Sequence, residues 1–86
     1  MAPKYDMVCI NKFGFLDYKF RFGDKCRILD FKRYDHFECG IMIAVEFEKH
    51  INGHNAPSFI GSKGKDGHCV YFDGNDMKNL KFIVDE

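Results

Sequence analysis

The sequence has no tryptophan, only two prolines and no net charge, with thirteen Lys and Arg against thirteen Asp and Glu. Balanced charge removes the basic surplus that a nucleic-acid-binding domain usually carries. No run of apolar residues approaches the length of a membrane-spanning helix. The four cysteines, Cys9, Cys26, Cys39 and Cys69, are widely and irregularly spaced, with no C-x-x-C pair. The opening residues, Met1-Ala2-Pro3-Lys4-Tyr5-Asp6, hold no apolar segment of the kind a signal peptide needs. The chain is therefore expected in the cytoplasm, where thiols stay reduced. Cys26 reads as a small buried hydrophobe, and the other three cysteines are left open.

What is present is aromatic. Aromatic residues make up 16 % of the chain, and ten of them are Phe. Large flat side chains suit a small core because each buries much area. With 86 residues there is room for one domain spanning residues 1–86. A chain of this size buries about 60–65 % of the surface that its unfolded form exposes, so a metal or an oligomer contact would help it. Charge is uneven along the chain. Residues 1–33 hold eight Lys and Arg against four Asp, and residues 34–86 hold five Lys against nine acids. Folding the two halves together would mix these charges.

The clearest periodicity is two-fold. Leu16-Asp17-Tyr18-Lys19-Phe20-Arg21-Phe22 alternates apolar and polar residues without a break, which predicts a half-buried strand. Gly23-Asp24 marks a turn, and a second strand is expected over Lys25–Leu29 with Cys26 and Ile28 on one face. A third is expected from Gly40 to Glu48. It places Ile41, Ile43, Val45 and Phe47 on one side and Met42, Ala44, Glu46 and Glu48 on the other. Met7 to Ile10 suggests an edge strand within an N-terminal extension, residues 1–15. Residues 50–67 break the pattern with Asn52-Gly53, Pro57, Gly61-Ser62, Gly64 and Asp66-Gly67, all turn chemistry. A polar stretch this long in a compact domain is usually functional or mobile. His68 to Phe72 reads as a short aromatic strand. Asp73 supplies an N-cap for one helical turn over Met77–Leu80. Leu80, Phe82 and Val84 give a closing strand. The expected class is all-β: a small, bent barrel of five or six strands with one helical turn before the last, mainly over residues 16–84. Closure would remove exposed edges.

Two stretches carry a resemblance. Phe20-Arg21-Phe22-Gly23-Asp24-Lys25-Cys26-Arg27-Ile28-Leu29 resembles the opening of Src-homology-three-like barrels, including those of translation-factor type. Val45-Glu46-Phe47-Glu48, Asn52-Gly53-His54 and Gly64-Lys65-Asp66-Gly67-His68-Cys69 are similar to short barrel domains encoded by phages and mobile elements, where two Gly-His pairs flank a glycine-rich loop. The resemblance spans residues 20–84 and leaves the first nineteen unexplained. It implies a Src-homology-three-like barrel and a small binding protein, in one concrete form an anti-CRISPR inhibitor that occupies a CRISPR effector nuclease.

The histidines and cysteines suggest a metal. His50-x-x-x-His54 has ligand spacing, and His36-x-x-Cys39 precedes it. A strand of about nine residues between the two pairs spans roughly 30 Å, too far for one ion. The better set is His50, His54, His68 and Cys69, which flank the two ends of one loop. Imidazole nitrogen and thiolate sulfur suit a structural zinc ion. Because His68 and Cys69 are consecutive, a regular strand would turn them to opposite sides. The same adjacency argues against a cysteine nucleophile paired with His68. The loop Gly61-Ser62-Lys63-Gly64-Lys65-Asp66-Gly67 lacks the spacing of a phosphate-binding loop. No catalytic set emerges.

The expected function is a non-catalytic protein-binding module. The acids Glu46, Glu48, Asp73 and Asp76 would meet a basic partner surface. Phe59, Tyr71 and Phe72 would serve as exposed aromatic anchors. The alternative is a nucleic-acid-binding barrel that uses Lys19, Arg21, Lys25, Arg27, Lys32 and Arg33 with nearby aromatics.

Overall fold

A computed structural model of the chain describes residues 4–10 and 18–83. Five strands form one antiparallel sheet: β1 (Met7–Cys9), β2 (Lys25–Arg33), β3 (Ile41–Phe47), β4 (Cys69–Asp73) and β5 (Leu80–Phe82). Their spatial order is β4-β3-β2-β1-β5. Short 3-10 helical turns cover Ile60–Ser62 and Gly74–Asn79. The all-β class follows the sequence. No helix among the described residues is long and apolar enough to cross a membrane.

One core gathers residues from every strand. Met7 and Cys9 of β1, Cys26 of β2, Val45 and Phe47 of β3, Val70 and Phe72 of β4 and Leu80 of β5 pack together with Ile51 and Phe20. In a flat sheet the outermost of five strands lie about 19 Å apart at the usual ~4.8 Å spacing. Here residues of both edge strands enter one core, and the Gly74–Asn79 turn packs against both of them. Among the described residues no ladder joins β4 to β5, so these remain the two edges of the sheet.

Three expectations change in detail. The alternation at Leu16–Phe22 does not make a strand over its described part, Tyr18–Phe22. Its facing rule holds only in part: Tyr18 and Phe20 pack against the core, but Phe22 on the same phase is 72 % exposed. Phe20 stacks on Phe47 at 5.0 Å and meets Phe72 edge-on at 5.5 Å. The backbone there bonds singly, Lys19 N–H to the Ile51 carbonyl and Gly23 N–H to that of Cys9, instead of forming a ladder. Leu16 and Asp17 lie outside the described residues, as do 11–15 of the expected extension and Val84 of the closing strand. β1 is not an edge strand, because β2 and β5 flank it. The helical turn starts earlier than expected, at Gly74, because Asp73 and Asp76 cap it reciprocally, and Leu80 belongs to β5.

β2 is longer than its sequence signal. Cys26 and Ile28 face the core side, opposite Phe47 and Val45, but the register shifts between Ile28 and Asp30. Beyond that bulge Phe31, opposite Ile43, takes the core side. This one-residue slip in the apolar alternation hid the second half of the strand.

Candidate functional site

The buried side of β3 that faces away from the main core holds the most unusual group in the molecule. Glu46 is 1 % exposed. Its Oε1 accepts the Tyr5 hydroxyl at 2.8 Å and Arg27 Nε at 3.0 Å, and its Oε2 accepts the Lys65 backbone N–H at 2.8 Å. Burial alone would raise the carboxyl pKa, yet the Lys65 amide, the Tyr5 hydroxyl and Arg27 together hold it below its ordinary value. Tyr5 is driven the other way, up to about 12, by burial and then by its bond to Glu46. Near neutral pH the pair stays carboxylate and phenol, so neither is poised to exchange a proton. The cluster works as a pin, joining the segment before β1, β2, β3 and the long loop.

That loop is better packed than its composition suggests. Ala56 and Phe59 join Met42, Ala44 and Cys69 in a second buried cluster, with Leu29, Phe37 and Tyr71 packed against it. Residues 54–63 thus cover the second face of β3 and β4. The glycines serve this packing. A Cβ on Gly64 would meet Cys69 Sγ, Glu46 Oε2 and Leu29 Cδ1. At Gly67, with φ +85°, a Cβ would run into the His50 ring. The amides of Ser62, Gly64, Lys65 and His68 already bond within the fold, to Phe59, Asn55, Glu46 and Lys65 respectively.

The four candidate zinc ligands separate into two pairs. His50 and His68 meet edge-to-face with ring centroids 5.6 Å apart, and His68 Nδ1 lies 3.0 Å from the Phe47 carbonyl. His54 and Cys69 exchange both backbone hydrogen bonds, so their side chains share the other face. The His54 ring lies 4.4 Å from the Tyr71 ring, and its Nδ1 accepts the Ala56 N–H at 2.9 Å. Burial, followed by the charge of Glu46, pushes the Cys69 thiol up to about 11. The opposed facing of His68 and Cys69 divides the set. Among the described residues no group of three His, Cys, Asp or Glu side chains is placed to hold a metal ion.

The expected partner-binding residues are mostly committed to the fold. Glu46 is buried against Arg27, so it presents no charge to a partner. Phe72 is fully buried in the main core and Phe59 is buried in the second cluster, so neither is an exposed anchor. Tyr71 is half-buried, and its hydroxyl accepts the Ser58 N–H at 2.8 Å. Asp73 accepts the Asn75 and Cys39 amides, and Asp76 accepts the Asp73 amide. Glu48 alone of the expected acids is exposed.

Sequence reasoning missed a different surface. Four of the seven large hydrophobic side chains exposed among the described residues, Ile28, Phe31, Tyr34 and Ile41, lie on the β2–β3 hairpin. Phe31 is 67 % exposed, and Ile28 and Ile41 are each 39 % exposed. Register with β3 puts Ile28 and Phe31 on the core-facing side, where alternation from Ile43 also puts Ile41. The side that builds the core therefore runs past it and ends in an apolar row at the surface, beside exposed Lys32 and Arg33. The break in alternation at Leu29 was the available signal.

No family model, no curated protein and no solved structure matches this chain.

Proposed function

We propose that the chain is a non-catalytic protein-binding module that docks through the core-facing side of its β2–β3 hairpin. One observation carries this: Ile28, Phe31 and Ile41 form an exposed apolar row although their neighbours Val45 and Phe72 are fully buried. Contiguous exposed apolar side chains on a small domain commonly mark an interaction surface. Phe31 is the anchor, and Arg33 supplies a charged rim. The helical turn before the last strand and a core fed by all five strands support a Src-homology-three-like barrel. The resemblance to barrels of phages and mobile elements makes a host defence nuclease, such as a CRISPR effector, the first partner to test. Titration of purified protein against such nucleases, read by binding and by substrate cleavage, should give saturable binding and slower cleavage. Ile41→Glu should weaken both at least tenfold while leaving the fold intact. Binding undiminished in Ile41→Glu and Phe31→Asp would remove the hairpin from the interface.

A nucleic-acid role has one observation in its favour, the placement of Phe31 beside Lys32 and Arg33. It requires salt-dependent oligonucleotide binding. A flat gel-shift titration at low salt would eliminate it.

A further inference from the structure

The hairpin has a second unsatisfied feature, on its edge. β1 pairs with β2 only at Lys25 and Cys26. Among the described residues no strand lies beside β2 from Ile28 to Arg33 on the side away from β3. Hydrogen-bond phase shows which groups are left there. Tyr34 N–H bonds the Gly40 carbonyl at 2.9 Å, which makes Arg33 and Ile41 a non-hydrogen-bonded pair. Phe31 and Ile43 are in the same phase, two residues along. Phe31 and Arg33 therefore aim their backbone N–H and C=O groups outward, away from β3. The Phe31 N–H is met only locally, by Oδ1 of Asp30 at 2.8 Å. An open edge carrying an exposed Phe is a surface to which another strand can add.

We propose that the added strand is β2 of a second copy of this chain, paired antiparallel about a two-fold axis at Phe31. The sequence of the edge is self-complementary in that register. With Phe31 opposite Phe31 of the second copy, Asp30 stands opposite Lys32 of the second copy, and the symmetry makes this pair twice. Asp30 and Lys32 pair in β3 with Ala44 and Met42, both buried on the loop-covered side, so the opposed charges share one face. The two Phe31 rings share the other face, beside Ile41 and Ile43. The Phe31 N–H passes from the Asp30 carboxylate to the Phe31 carbonyl of the second copy. The released carboxylate oxygen then meets Lys32 of the second copy, which gives up its 3.1 Å bond to the Ser58 carbonyl. In this register Arg33 faces Leu29 of the second copy, so the bulge between Ile28 and Asp30 breaks the phase at both ends and limits the ladder to the bonds at Phe31. A short ladder makes a weak, concentration-dependent dimer. The pairing joins two apolar rows into one face. It goes beyond the protein-binding role and stands without it.

Sedimentation velocity of the full chain over a wide concentration range tests the proposal. Wild type should shift reversibly from monomer towards dimer. Asp30→Lys and Lys32→Asp should each remain monomeric, because each sets like charges opposite one another. Their equimolar mixture should dimerise again, as should the double variant, because opposite charges face across the axis once more. In the wild type, hydrogen exchange at the Phe31 amide should slow as concentration rises, a readout that needs no variant to fold. A wild type monomeric at every concentration overturns the proposal. So does a dimer indifferent to both single substitutions, or exchange at the Phe31 amide that does not depend on concentration. A monomer that still binds a partner through Ile41 refutes the dimer alone.

Discussion

Replacing Glu46 by Ala removes the acceptor of three donors at once. Hydrogen bonds to a charged group contribute about 1.5–3 kcal/mol each, and breaking a buried ion pair from one side costs about 3–5 kcal/mol. The full sum does not apply here. The Arg27 side chain is 33 % exposed and the Tyr5 ring half-buried, so both regain water when the carboxylate goes. The Lys65 amide lies under the loop and regains less. A net loss of about 2–4 kcal/mol follows, against a total stability of roughly 4–13 kcal/mol for a chain of this length. Equilibrium denaturation in urea should show the unfolding free energy falling by that amount, with a lower midpoint and little change in slope. In a thermal melt the drop should be roughly 10–25 °C. Tyr5→Phe should cost about 1 kcal/mol, and the two substitutions together should cost less than their sum because they share one bond. The acid limb gives an independent check. The folded pKa of Glu46 is depressed, so its stabilisation is fully present above the ordinary value of 4.5 and is lost as pH falls through the lower folded value. The Glu46→Ala variant should lose that part of the acid dependence. If Glu46→Ala cost under about 0.5 kcal/mol and added independently to Tyr5→Phe, the pin would not be a stabilising element.

Alkylation at mildly alkaline pH should modify Cys39 quickly and spare Cys9, Cys26 and Cys69, since Cys39 is exposed and the other three are buried. Mass spectrometry should count one modified thiol in the native protein and four in denaturant; fast labelling of Cys9 or Cys26 would contradict the core assignment. Gly64→Ala should destabilise by about 1–3 kcal/mol because its methyl group meets Cys69, Glu46 and Leu29, and a neutral result would show that the loop sits further from β3. Phe20→Ala should cost about 3–5 kcal/mol in a denaturant titration although its backbone is in no strand, and a loss under 1 kcal/mol would mean that it does not seal the core. Elemental analysis of protein purified without chelators should find well under one zinc per chain, because His50 and His68 face away from His54 and Cys69. Stoichiometric zinc that is lost on His54→Ala would refute that separation.

Much of the architecture was legible in local pattern. The alternation from Ile41 to Phe47 determined β3 and its facing, and Asp73 announced the cap of the turn before β5. Turn chemistry marked residues 50–67 as irregular. Local pattern works in these places because side-chain facing and capping depend on neighbours a few residues away.

Tertiary structure decided everything that depends on which face is covered. An acid alternating with Met42 and Ala44 reads as solvated, yet the loop closes over that face and buries Glu46 among donors from residues 5, 27 and 65. Phe59 and Phe72 look like anchors in a polar, aromatic stretch, but one holds the loop down and the other lies in the core. His54 and His68 are alike in sequence, each following a glycine, and the sheet sends them to opposite sides. The exposed row at Ile28, Phe31 and Ile41, and the edge left open beside it among the described residues, arise because β1 stops pairing after two residues of β2 while β3 continues. Strand length and partner are set by long-range pairing, which no single segment encodes.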